Sequence, residues 1–300
     1  MRHCSPILRI ATAAAWLFSV TACDKLGLGG DKSPTAPSGP PSSGSTIVYT
    51  AIGASDAAGV GSSVPCVLFT DCPNGMGYVP VTGRTLSAQG FKVRVDNLGI
   101  PTSVIGPDFA QLGANYGRTI FGNFIDTEIP FVKSDTTVVT IFAGINEVTT
   151  ITAALGGGAG GSDPLGFIDN QVRAFGADYN TLIAGVRAKA AQAPRIVILN
   201  VPNAAGLPFL AGVSLAQRQA SQRAAVGMTR TVVNPLASES VVIVDLMCDS
   251  RSYQSSMYSS DGLHPNDAGY AFIASEVVKA ITMSSYPRPQ NNCTAMTLVP

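Results

Sequence analysis

Five short runs of β-branched and apolar residues, set far apart along the chain, limit what it can fold into. They are Thr46–Ile52, Val93–Leu98, Thr137–Phe142, Arg195–Leu199 and Val241–Leu246. Most are apolar on both faces, as expected of parallel strands covered on both sides by helices. Helical patterns fall between them, clearest over Ile168–Gln192 and Leu215–Leu236. This alternation predicts an α/β fold: a three-layer α/β/α sandwich around a mostly parallel five-stranded sheet. No Pro/Gly/Ser linker and no repeat of fixed period interrupts residues 46–300, so they are expected to form one domain. In such sheets ligands bind at the carboxyl ends of the strands. The residues that follow each strand are therefore the ones to inspect.

The N-terminal segment has a different character. Arg2 and Arg9 flank the start of an apolar run, Ile10–Val20, that is too short for a permanent membrane span. Residues 1–22 are expected to be an export signal. They end in Val20-Thr21-Ala22-Cys23, which resembles the lipobox of bacterial lipoproteins. In that family the cysteine becomes the N-terminus and carries lipid, so Cys23 is the expected lipidation site. The alternative is an ordinary secretory cleavage site with an incidental cysteine. Residues 24–45 are rich in Gly, Ser, Pro and Thr and cannot bury a core, so residues 23–45 read as anchor and flexible tether. The expectation is an exported, membrane-anchored protein of the cell envelope.

Without the signal, 17 basic and 19 acidic side chains remain. A charge-poor, near-neutral surface is a poor match to a nucleic acid backbone and suits a neutral or apolar small molecule. The oligomeric state is left open. Cys66, Cys72, Cys248 and Cys293 fall in the domain, and export permits disulfides. Of three pairings, the expected one is Cys66–Cys72, closing a short loop, with Cys248–Cys293 pinning the C-terminal tail. The spacings do not suit zinc, and no metal or cofactor is expected.

Chemistry gathers after the strands. Gly53-Ala54-Ser55-Asp56 follows the first, Asn97-Leu98-Gly99-Ile100-Pro101-Thr102 begins within the second, and Gly144-Ile145-Asn146-Glu147 follows the third. Asp261-Gly262-Leu263-His264-Pro265 lies beyond the fifth and holds the only histidine outside the export signal. Any imidazole acid–base chemistry in the domain falls to His264. Taken singly, Ser55 and Asn146 read better as a helix cap and a turn residue, and Asp261 and His264 also fit a turn former and a half-buried loop histidine. Their convergence at one sheet edge favours a catalytic reading.

At these residues the chain resembles the SGNH hydrolases, also called GDSL esterases and lipases. The first block of that family, Gly-Asp-Ser, corresponds to Gly53-Ala54-Ser55. The third, Gly-x-Asn-Asp, corresponds to Gly144-Ile145-Asn146-Glu147. The fifth, Asp-x-x-His-Pro, is unaltered at Asp261–Pro265. The resemblance implies a flavodoxin-like fold and a serine ester hydrolase acting through an acyl-enzyme. Ser55 would be the nucleophile, His264 the base and Asp261 its orienting acid. The oxyanion would be held by the backbone N–H groups of Ser55 and Thr102 and by the Asn146 amide. Thr102 stands where the family usually has a glycine, with Gly99 as the other candidate. Ala54 and Glu147 replace two aspartates of the family pattern.

Two further segments are expected to shape the substrate site. The glycine-rich Leu155–Asp163 is either a mobile flap over it or a plain surface loop. Leu207, Phe209 and Leu210 either line an acyl pocket or pack on a neighbouring helix. The leading expectation is hydrolysis of a small-molecule acyl ester. A carbohydrate deacetylase or acyltransferase of the same fold is an alternative, as is a non-catalytic envelope lipoprotein that keeps the fold as a binding module.

Overall fold

A computed structural model describes residues 39–66 and 71–300. The export signal, Cys23 and most of the expected tether lie outside the described residues. Five strands form one sheet in the order β2-β1-β3-β4-β5: β1 (Thr46–Gly53), β2 (Lys92–Asn97), β3 (Val138–Phe142), β4 (Arg195–Leu199) and β5 (Val241–Val244). All four pairings are parallel. The five runs read from the sequence are these strands, with ends shifted by two residues at most.

The sheet is a layer between two cores because its side chains alternate. Ile47, Tyr49, Ala51, Val138, Phe142, Val197 and Leu199 pack on one face against α2 (Tyr78–Ala88) and α7 (Asp267–Thr282). Ile52, Val139, Ile141, Ile196, Ile198, Val241 and Ile243 pack on the other. That second face is covered by α3 (Pro107–Asn115), α4 (Ile145–Gly156), α5 (Pro164–Lys189) and α6 (Leu215–Gly227). The period of two places successive residues in opposite cores, which is why the strands read as unbroken apolar runs. β2, at the edge, is the exception. Only Val93 and Val95 pack inward, and Arg94 forks onto Asp135 at 2.7 and 2.8 Å.

Helix starts follow from local side chains. Asp163 accepts the Gly166 N–H and precedes Pro164, which suits a first helical position. Ser214 and Gln217 form a capping box at α6. The expected helix over Leu215–Leu236 is one path of three kinds: α6, then a π-helical stretch at Met228–Val233, then a tight turn at Asn234–Leu236 around Pro235. Proline removes a donor, so the regular ladder cannot run to its end. Cys66–Cys72 and Cys248–Cys293 are both paired, with Cα separations of 5.6 and 5.8 Å.

Candidate active site

The strand order reverses between β1 and β3, where chain connections leave to opposite sides and open a crevice. Ser55 follows β1 and Asn146 follows β3, so both stand at this switch point. Helix α1 (Ser55–Ala58) is a single turn, closed by Gly59 in the left-handed region at φ 76°. As the first residue of that turn, Ser55 has a backbone N–H with no intrahelical acceptor. The residue is 8 % exposed.

The Asp261–His264 loop meets Ser55 from across the crevice. Ser55 Oγ lies 2.8 Å from His264 Nε2, and His264 Nδ1 lies 2.6 Å from Asp261 Oδ2. The other Asp261 oxygen accepts from Ser259 Oγ at 2.8 Å and from the N–H groups of Leu263 and His264 at 2.8 and 2.9 Å. Partial burial pushes the Asp261 carboxyl up, but these hydrogen bonds outweigh it and hold the group well below the usual carboxylate range. Ionised Asp261 accepts the Nδ1 proton and leaves the Nε2 lone pair facing the serine hydroxyl. Gly262 makes the loop possible. Its φ is 71°, and a β-carbon there would lie 2.8 Å from the Phe209 nitrogen. The loop rests on the helix that follows it: Asn266 caps α7 by accepting the Ala268 and Gly269 N–H groups.

The opposite wall carries donors. Asn146 Nδ2 donates to the Ser103 carbonyl at 2.8 Å, and its second N–H has no partner among the described residues. Arg118 holds the same residue from behind, donating to its backbone carbonyl at 2.6 Å and to the Thr150 hydroxyl. Thr102 is the one non-glycine residue with positive φ (67°) among the described residues. That conformation is the one a glycine adopts freely. Its hydroxyl accepts the Phe121 N–H, while its own N–H has no partner among the described residues. The Gly99 N–H is already given to Asn97 Oδ1 at 3.1 Å, so of the two candidates only Thr102 has a donor to offer.

Two buried glutamates brace these loops. Glu147 Oε2 accepts the Gly144 N–H at 2.7 Å and its Oε1 accepts the Ile105 N–H at 2.6 Å. Burial pushes its carboxyl up to about 7, against those hydrogen bonds and nearby Arg118. Glu128, with no exposed surface, accepts the Gly53 N–H at 3.0 Å and secures the end of β1 beside Ala54. Burial raises its carboxyl well above the usual range, and the Gly53 and Ile100 N–H groups offset this only in part. Neither brace was readable from the sequence: Glu128 lies 75 residues from its partner, and the Glu147–Ile105 contact joins the first turn of α4 to a segment 42 residues earlier.

A narrow pocket runs from Ser55, Asn146 and His264 between apolar walls that include Phe142, Ile145, Val201, Leu207, Met257 and Leu263. Of the three expected substrate-loop residues, Leu207 lines it, whereas Phe209 and Leu210 do not and pack against the hydrophobic core. The Phe209 N–H donates to the Gly262 carbonyl, so this residue steadies the catalytic loop from its backbone. The glycine-rich segment is not a flap over the site. Leu155 and Gly156 belong to α4, which begins at the site and carries the glycines about 15 Å away. There they border a separate groove beside α6.

Residues 51–272, well over half of the chain and spanning every segment described above, match the model of the GDSL-like lipase/acylhydrolase family. The chain belongs to that family. Among solved structures it is similar to the lipase Lip_vut3 from a goat rumen metagenome, at 15% identity and a TM-score of 0.54, over 80% of this chain and 100% of the other. It is also similar to an extracellular lipase from Streptomyces rimosus, at 16% identity and a TM-score of 0.53, over 78% of this chain and 100% of the other. At such identities the likeness is one of fold. No curated protein matches the chain. Membership makes the protein a hydrolase, and its all-parallel five-stranded sheet is the fold of the family.

Proposed function

We propose that the protein hydrolyses carboxylic esters through Ser55. The observation that carries this is the continuous chain of contacts Ser55 Oγ–His264 Nε2 and His264 Nδ1–Asp261 Oδ2, placed at the switch point of the sheet. The solved relatives named lipases support an ester as the substrate class.

In the first step the Ser55 hydroxyl proton passes to His264 Nε2 as Oγ attacks the carbonyl carbon. The carbonyl electrons move to oxygen, and that oxyanion is received by the N–H groups of Ser55 and Thr102 and the second Asn146 N–H. Each such donor is worth roughly 3–4 kcal/mol in the transition state. The imidazolium then protonates the departing alcohol and leaves an acyl-Ser55. Water, activated by the neutral imidazole, completes the cycle. Asp261 stays ionised throughout, holding Nδ1–H and balancing the cation. Apolar walls around the serine suit an acyl or alkyl group without charge.

The sequence further supports an exported lipoprotein anchored through Cys23. Replacing Cys23 by serine would then release the protein from membranes into the soluble fraction. Reaction with a fluorophosphonate tests the nucleophile, since Oγ displaces fluoride from phosphorus only when activated. Mass spectrometry should place one label on Ser55, and His264→Ala should abolish it. Labelling elsewhere, or none on the folded protein, would contradict the assignment.

A further inference from the structure

Asp56, the residue after the nucleophile, takes no part in the steps above, yet it is 7 % exposed and lines the same pocket as Ser55, Asn146 and His264. No side chain among the described residues donates a hydrogen bond to its carboxylate. Burying such a group is costly unless a partner compensates it. The titratable groups around it come from every element that packs there: Tyr78 from α2, Tyr258 from the segment before the catalytic loop, Tyr270 from α7, and His264 and Asp261 from the loop itself. The tyrosine hydroxyls are committed elsewhere. Tyr258 donates to the Ser252 carbonyl at 2.5 Å, Tyr270 to the Val60 carbonyl at 2.6 Å, and Tyr78 shares a long contact with the Thr140 hydroxyl. Arg251, which also lines the pocket, is taken by Asp249 and Glu276. Its own backbone N–H serves the Asp56 carboxylate, and of the side chains that share the enclosed pocket with it the imidazole is the one that can carry an uncommitted positive charge. The segment that follows α1 is pressed onto that histidine, since a β-carbon on Gly61 would lie 2.7 Å from His264 Cβ.

We propose that Asp56 is a positioning residue: a second carboxylate that acts through His264, stabilising the imidazolium from the pocket side while Asp261 stabilises it at Nδ1. The inference rests on Ser55 being the nucleophile. In the step concerned, the Ser55 proton moves to Nε2 and the Oγ electron pair forms the bond to the carbonyl carbon. Asp56 exchanges no proton and contributes only its charge. The two acids differ in what surrounds them. The Asp261 side chain is 46% exposed, so solvent and salt weaken its field. Asp56 is enclosed, where the same charge acts more strongly. Burial pushes the Asp56 carboxyl up, and a cationic His264 draws it back down. Its ionised form is thus favoured when the imidazole carries the proton, which is the condition of the transition state.

The test is the rate of Ser55 phosphonylation by a fluorophosphonate between pH 4.5 and 9, a readout that does not depend on knowing the natural ester. Asp56→Asn and Asp56→Ala are compared with the parent. In both variants the acid limb of the profile should move down by about one pH unit and the plateau should fall several-fold. Their melting temperatures above pH 7 should equal or exceed that of the parent, because a buried charge has been removed. An unmoved acid limb overturns the proposal. So does a fall in melting temperature at every pH together with a proportionate loss of rate, which is what a purely structural residue would give. If the parent is labelled and Ser55→Ala is not, either of those results rejects Asp56 alone. A parent that takes no label removes the Ser55 reading and this proposal with it.

Discussion

An aspartate that accepts four hydrogen bonds, one from the imidazole it serves, has its carboxyl held well below the usual carboxylate range and stays ionised at neutral pH. Asp261→Asn keeps the shape but offers the Nδ1 proton no full charge. The expected result is a kcat lower by roughly 10³-fold or more with KM little changed, measured on a chromogenic ester. The two braces should behave differently when made neutral. Glu128 accepts one hydrogen bond among the described residues, from Gly53 on one oxygen, with the Ile100 N–H only nearby, so a glutamine can present its carbonyl oxygen to the same N–H. Glu147 accepts an N–H on each oxygen, and an amide nitrogen cannot accept. Glu128→Gln should be nearly neutral, whereas Glu147→Gln should lose about 1–3 kcal/mol of stability by denaturant titration and part of its activity. Glu147 also gives a pH dependence. Its folded carboxyl, raised to about 7, binds a proton that the unfolded chain has already released. Its contribution is therefore complete below the ordinary glutamate range and is lost as pH rises through about 7. The melting temperature should fall between pH 5.5 and 8, and fall less in Glu147→Gln.

At the scale of elements, the strands were legible and several helices were not. The strands announce themselves because both faces are buried. α4 contains Val148, Thr149, Thr150, Ile151 and Thr152 in succession, a poor helical run by intrinsic propensity. It is helical because Val148, Ile151 and Ala154 are buried, and because Thr149, Thr150 and Thr152 return their hydroxyls to carbonyls of the preceding turn. α2 carries Pro80 in its first turn and Gly83 in its middle, signals that a sequence reading takes as breaks. The cysteine pairs, by contrast, followed from spacing, and they differ in consequence. Cys248–Cys293 closes a loop of 45 residues and Cys66–Cys72 one of six. Loop entropy then assigns about 4 kcal/mol to the first and about 2 to the second. The first also holds the tail in place: Asn203 donates to the Ala295 carbonyl and Gln222 to that of Val299. Asn203 begins the segment that carries Leu207 into the pocket wall. Replacing Cys248 and Cys293 by serine should therefore lower the melting temperature more than replacing Cys66 and Cys72, and should raise KM for longer acyl esters.

Across the whole molecule, the candidate site is a product of topology. Ser55, Thr102, Asn146 and His264 come from four strand-end segments spread over some 210 residues, and the order β2-β1-β3-β4-β5 gathers them at one edge. The sequence pointed to Ser55, Asn146, Asp261 and His264, which the fold brings to one edge, because their types are short-range signals and the strand rule says where each segment ends. It could not reach Arg118, Glu128 or the pocket-facing carboxylate of Asp56. Their meaning lies in what packs beside them, and no spacing encodes that. The placement of Leu207 inside the pocket and of the glycine-rich segment outside it likewise depended on where α4 and the β4–α6 connection run. The central claim is that this gathered set performs acyl transfer through Ser55. Hydrolysis of p-nitrophenyl acetate by the parent and by Ser55→Ala tests it most directly. The account predicts turnover by the parent and, in a variant of unchanged melting temperature, a rate lower by about 10³-fold or more. Equal turnover by the two proteins would contradict it.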